Sequence, residues 1–137
     1  MGEGAVLVDS TVLLHSLGHA EPHRRRARAF LRELWSGTGR AYASTEMVQE
    51  VVLHRMRRTA RDQAVAEARE ITRSFIVLNF DHEVLETALA LIEHTHVRGR
   101  DAVHAGTALA YGIETIASSD AVFDGIPGIR RVDPLAV

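Results

Sequence analysis

Short apolar segments recur along the chain: "AVLV" (5–8), "AYAS" (41–44), "FIVLNF" (75–80), "ETIAS" (114–118) and "IRRV" (129–132). Each has strand length and is bounded by polar or turn-forming residues. Stretches of helical periodicity divide the first four from one another. The last two flank a turn-rich linker, "DGIPG" (124–128). A strand that reaches its neighbour through a helix pairs with it in parallel, and a parallel sheet needs helices on both faces. The pattern predicts an α/β fold.

The intervening stretches have readable ends. "STVLLHSL" follows the first segment. Pro22 suits the first turn of a second helix, whose Ala27, Phe30, Leu31 and Leu34 recur at helical spacing before "SGTG" (36–39) ends it. Ser44 or Thr45 caps a helix over 46–58, and a polar helix covers 61–74. Asp81 caps "DHEVLETALALIEHT" (81–95), whose apolar face is Val84, Ala88, Leu91 and Ile92. Gly112 closes "AVHAGTALAYG". No repeat, low-complexity tract or interdomain linker interrupts residues 1–137, which read as one domain long enough to bury a core.

Composition narrows the function classes. Hydrophobic residues make up 46% and charged residues 25%, a globular balance. The absence of Cys excludes disulfides and thiolate metal sites and suits an intracellular, cytoplasmic protein. No apolar run reaches the roughly 20 residues of a membrane span, and "MGEGAVLVDST" has no basic leader before a hydrophobic stretch. The formal net charge of -2 predicts no polyanion partner by itself. All 16 basic residues are Arg, however, and they cluster at 24–28 and 55–61. Arg forks suit phosphate oxygens, although solvated helix faces account for such clusters equally well.

Two of the strand segments lead into an acid. Asp9 follows "AVLV", and Asp120 follows "ETIAS" after Ser119. Ligands of open parallel sheets collect beyond the carboxyl ends of the strands, where strand order reverses, so both acids are placed to face one crevice. Glu50, in the helix after "AYAS", and Asp101, at the start of the helix before "ETIAS", are further candidates. Grouped carboxylates raise one another's pKa; a divalent cation turns that repulsion into binding. Oxygen-only ligands favour Mg²⁺ or Mn²⁺ over Zn²⁺. Plainer readings stand beside this one. Asp9, Asp101 and Asp120 could each cap a helix, and Glu50 could be a surface residue sharing a face with Glu46.

Four blocks carry a family resemblance: "VLVDSTVLLH", "STEMVQEVVLH", "RGRDAVHAGTALAYG" and "IASSDAVFDGIPGIRRVDP". Together they resemble the acidic motifs of PIN-domain ribonucleases, most of all the small VapC toxins of bacterial toxin–antitoxin pairs. The resemblance implies that Asp9, Asp101 and Asp120 are the first, third and fourth acids. The family's second motif has a Ser at the strand end and a Glu six residues later, which Ser44 and Glu50 satisfy and Glu46 does not. Asp9, Glu50, Asp101 and Asp120 are thus the implied catalytic set. Asp9, Asp101 and Asp120 are the implied Mg²⁺ or Mn²⁺ ligands, with Asp124 supporting a second ion. Thr11 matches a hydroxyl residue beside the first acid, and Ser118 one beside the fourth. The implied fold is PIN-like, a central parallel sheet of about five strands ordered 3-2-1-4-5 and flanked by helices.

The implied activity is metal-dependent hydrolysis of RNA phosphodiester bonds, leaving a 5′-phosphate and a 3′-hydroxyl. A VapB-like antitoxin, laying a helix in a groove, and a second copy of the chain are the implied protein partners. Leu13, Leu14, Leu17 and Phe30 are a candidate surface for either, or are core. Around an acidic crevice the Arg clusters, Arg57 and Arg58 in particular, are candidates to hold the RNA backbone. A PIN-like module that binds RNA or protein without cleaving is the alternative. His94 and His96 raise a weaker Zn²⁺ reading, since residues two apart diverge around a helix. His104 lies on the helical side of Asp101, where a packed or capping role is expected. Two other families with strand-end acids are disfavoured. Haloacid-dehalogenase-like phosphatases need a second Asp where Thr11 stands, and receiver modules need a Lys.

Overall fold

Residues 4–136 are described by a computed structural model. Five parallel strands form its sheet: β1 (Ala5–Val8), β2 (Arg40–Ser44), β3 (Ile76–Leu78), β4 (Thr115–Ala117) and β5 (Arg130–Val132). Their order is β3-β2-β1-β4-β5, with every neighbouring pair parallel, as the resemblance implied. The helices among these residues are α1 (Ser10–Leu17), α2 (His23–Ser36), α3 (Thr45–Met56), α4 (Arg61–Ser74), α5 (His82–His94) and α6 (Gly99–Ala110), with a 3-10 turn at Ala121–Phe123.

Alternation along the strands divides the core in two. Ala5 and Leu7 of β1, with Tyr42 of β2 and Ile116 of β4, face a cluster completed by Ala88 and Leu91 of α5 and Ala102, Ala105 and Ala108 of α6. Val8, Ala41 and Ala43 point the other way, towards Val12, Leu31, Val51 and Ile71 of α1 to α4. Both faces of the sheet are therefore covered, as a parallel sheet requires. On the α5–α6 side the helices approach closely at Gly106, where a Cβ would stand 3.1 Å from the backbone nitrogen of Ala88.

Ser44 caps α3 by accepting the Met47 N–H at 3.1 Å, and Asp81 caps α5 from Val84 at 3.0 Å. Other expectations need correction. Pro22 precedes α2 rather than occupying its first turn. β3 ends at Leu78, because the chain leaves the sheet edge there, and Phe80 is exposed. Ile92 is exposed with Leu85 and Leu89, since it lies about 100° around the helix from Leu91. Leu13 is core, while Leu14, Leu17 and Phe30 are partly buried against it, so the four do not form a free apolar surface. No helix among the described residues is long and apolar enough to cross a membrane.

Candidate active site

Strand order reverses between β1 and β4, and there the ladder runs one residue past β1: the Asp9 N–H donates to the Ala117 carbonyl at 2.9 Å. This fixes Asp9 at the carboxyl end of the sheet, directly before α1. Its backbone carbonyl accepts the N–H groups of Val12 and Leu13, but its carboxylate makes no capping bond. Instead Oδ2 accepts from the Ser118 hydroxyl at 2.7 Å and the Thr11 hydroxyl at 3.0 Å. Asp9 is buried, and a buried carboxylate needs such donors.

Each hydroxyl has a single hydrogen, which these bonds use. Their oxygens in turn accept backbone N–H groups, Ser118 that of Asp120 at 3.0 Å and Thr11 that of Ser119 at 3.4 Å. Asp9 is thereby tied to the loop that carries Asp120. Asp120 itself accepts the Val122 N–H at 2.9 Å through Oδ1 and caps the 3-10 turn, so the plain capping reading holds for that oxygen.

Asp101 is not a cap: Arg98 precedes α6, and Asp101 lies within its first turn. Burial raises its pKa, and the negative charge of Asp120 raises it further, with smaller additions from Asp9 and Glu50 and opposition from His104. The four acids singled out in the sequence therefore share one electrostatic neighbourhood. Glu50 differs in having an imidazole and a guanidinium within ion-pair reach. His104 Nε2 lies 2.7 Å from Oε1, and an Arg100 guanidinium nitrogen 3.5 Å from Oε2. Burial pushes the Glu50 carboxyl up, but His104 and then Arg100 outweigh it, leaving the pKa lowered.

His104 is buried, as expected of a packed residue, but its packing also serves this acid. Its position three residues after Asp101 was the available signal. Arg100 had none, since nothing in its spacing sets it apart from the other arginines. Asp124 is turned elsewhere: Arg131 grips its two oxygens at 2.8 and 3.1 Å and holds its pKa down, while also donating to the Ser118 carbonyl at 3.1 Å. Ser44 serves as a helix cap, which sets the start of the helix that carries Glu50. His96 meets the Val122 carbonyl at 2.7 Å and His94 lies beside Glu93, so the pair does not converge on a zinc site. Among the described residues no three carboxylates or imidazoles are drawn together as a ready-made cation shell.

Comparison with known proteins identifies the family. The PIN domain family matches residues 6–129. VapC ribonuclease Mb1869c of Mycobacterium bovis and ribonuclease VapC13 of Mycobacterium tuberculosis are each 30% identical over 130 residues, covering 93% of this chain and 98% of the relative. A toxin–antitoxin complex from Klebsiella pneumoniae contains a chain of the same fold, with a TM-score of 0.74 at 20% identity, covering 96% of this chain and 99% of that one. Matched over nearly its whole length by family and relatives alike, the chain belongs to the PIN-domain family and, within it, to the VapC proteins.

Proposed function

We propose that this chain is a metal-dependent endoribonuclease, the toxin of a VapBC-type pair, with residues 1–137 acting as one PIN domain in the cytoplasm. The observation that supports the reading is that Ser118 ties Asp9, at the carboxyl end of β1, to the loop after β4 that carries Asp120, while the charges of Asp120, Asp9 and Glu50 all bear on Asp101. Among the described residues Asp9, Asp101 and Asp120 form no ion pair with Arg, and Asp101 is held in a field of like charge. Such a set suits a hard dication. Mg²⁺ keeps several of its waters and needs only one or two carboxylates besides substrate phosphate, so an open arrangement fits it.

Asp9, Asp101 and Asp120 would hold Mg²⁺ or Mn²⁺. Bound there, the ion would lower the pKa of a water and offset charge on the transferring phosphate. The chain's own groups do the positioning. Ser118 and Thr11 keep the Asp9 carboxylate from rotating, because both bonds fall on Oδ2. Glu50, kept ionised by His104 and Arg100, is suited to orient a water for in-line attack. Asp124 is a secondary candidate that would first have to leave Arg131. A VapB-like antitoxin and a second copy of the chain are the proposed protein partners, supported by the family.

The test is RNA cleavage with Mn²⁺ or Mg²⁺ by the wild type and by Asp9→Asn, alongside calorimetric titration of both with Mn²⁺. Cleavage and binding heat should be present in the wild type and lost in the variant. RNA binding without metal-dependent cleavage in the wild type would favour the non-catalytic module instead. Coexpression with a neighbouring small open reading frame, where one exists, tests the toxin context through relief of growth arrest.

A further inference from the structure

Two cavities adjoin beside the acidic crevice, along α1 and α3. One, of about 210 Å³, is lined by Ser10, Leu14, Glu50, Leu53, Arg57 and Arg100, among others. The next, of about 380 Å³, includes Leu14, His15, Arg58 and Gln63 in its wall. Leu14 borders both, so they neighbour one another along one trough-like face, and Glu50 lines the first of them.

The arginines differ in what engages them, and Arg55, Arg57, Arg58 and Arg100 line the two cavities. Arg24 and Arg25 pair with Glu21, Arg26 donates to the Leu135 carbonyl and Arg28 to the Ser16 carbonyl. Arg55 is buried in a bidentate bond with Glu67 at 2.8 and 3.1 Å. Each of these groups already has a partner within the chain. Arg57 and Arg58 are exposed and enter no ion pair among the described residues; Arg32, Arg40, Arg61, Arg69 and Arg98 share that state, but of this group only Arg57 and Arg58 line the two cavities. After burial, their charges are the next causes lowering the pKa of His54 in the same wall. Cations at the end of α3 complement its dipole, which explains Arg57 and Arg58 without a ligand. It does not explain Arg100, which comes from α6 to the same cavity and meets Glu50 there, nor Leu53, left 47% exposed in that cavity's wall.

Guanidinium groups beside apolar side chains match a single nucleic acid strand, whose phosphates take the charge and whose bases make apolar contacts. Resting on the nuclease reading, we infer that the trough between α1 and α3 carries the single-stranded RNA flanking the cleaved bond. Arg100, Arg57 and Arg58 hold its backbone, and Leu14 and Leu53 support its bases.

The experiment is fluorescence anisotropy of a labelled poly(U) oligonucleotide with the wild type in EDTA, where no metal-dependent cleavage occurs, over a series of salt concentrations. Arg57→Ala and Arg58→Ala should each weaken binding and reduce the slope of log K against log salt by about 0.7. Arg69→Ala, an exposed arginine of α4 outside the trough, should keep the wild-type slope. Melting curves check that all three variants are folded. The inference is overturned if the wild type does not bind, if both trough variants retain its slope, or if Arg69→Ala loses as much. Normal RNA binding by the Arg57/Arg58 double variant combined with escape from antitoxin would mark a protein groove and also overturn it. Failure of the wild type to cleave with Mn²⁺ would remove the nuclease reading while leaving the binding result standing.

Discussion

His104 Nε2 lies 2.7 Å from Glu50 Oε1, so an imidazole of α6 holds the acid supplied by α3. The ionised carboxylate can only accept, which puts the hydrogen on Nε2. Nδ1 is buried and without a partner among the described residues, so this one bond is the polar contact that orients the ring. It fixes Glu50 beside Asp101, three residues before His104 on the same helix.

Replacing that donor should therefore act through Glu50. His104→Leu is expected to slow cleavage about 10- to 100-fold, the usual cost of losing a partner that orients an active group. His104→Gln, which can still present an N–H, should recover part of it. Removing His104 also removes the largest influence holding the Glu50 pKa down, so the acid limb of the pH–rate profile should move to higher pH in His104→Leu. Loss of rate with an unmoved profile and no recovery in the Gln variant would assign His104 to packing alone.

Ser118→Ala tests the hydroxyl that links two acids. The variant loses the donor to Asp9 and the acceptor for the Asp120 N–H at a buried position. A destabilisation of about 1–3 kcal/mol is expected from denaturant midpoints, with a fall in cleavage beyond what unfolding explains. Thr11→Val should cost less, because its bond to the same oxygen is longer, at 3.0 Å against 2.7 Å, and its site is less buried.

Asp101 has an opposite relation to stability. Its folded pKa is raised, so its favourable contribution is present below the unfolded value and is lost as pH rises through the folded one. Other acids, such as Asp81 and Glu67, have lowered values and oppose this in the whole protein. The clean measure is the melting-temperature difference between Asp101→Asn and wild type in EDTA. It should be small at acid pH and grow in favour of the Asn variant towards neutrality. Mn²⁺ should raise the wild-type melting temperature by mass action and the variant's less. A difference that stays flat with pH would contradict the like-charge crowding.

Much of this arrangement was legible in the residues, for physical reasons. Strand segments divided by helices leave little choice but a parallel sheet, and acids at strand ends then fall in one crevice. Asp9 could not be told from a helix cap by spacing, because cap and site occupy the same position; the hydroxyls of Ser118 and Thr11 decide it in three dimensions. Arg100 was invisible, since its role arises from the packing of α6 against α3. The Arg clusters misled in part, because a guanidinium that pairs with Glu67 looks, in sequence, like one that faces solvent. Ile92 and Phe80 show the remaining limit, that apolar character does not say which side of an element is covered.

Asp124 provides a final test of how many acids the chemistry needs. Arg131 grips both its oxygens and reaches Ser118 and Asp133 from the same side chain, at 3.1 Å and 3.7 Å. A carboxylate so engaged is a poor free ligand, while Arg131 braces the loop beside Asp120. Asp124→Asn should therefore reduce cleavage by less than about tenfold, whereas Asp9→Asn should abolish it; the tenfold boundary corresponds to about 1.4 kcal/mol in the barrier. Arg131→Ala should be the more damaging change at this pair, because it also releases the Ser118 carbonyl. If Asp124→Asn proves as inactive as Asp9→Asn while melting normally, Asp124 leaves Arg131 during the reaction and joins the four acids.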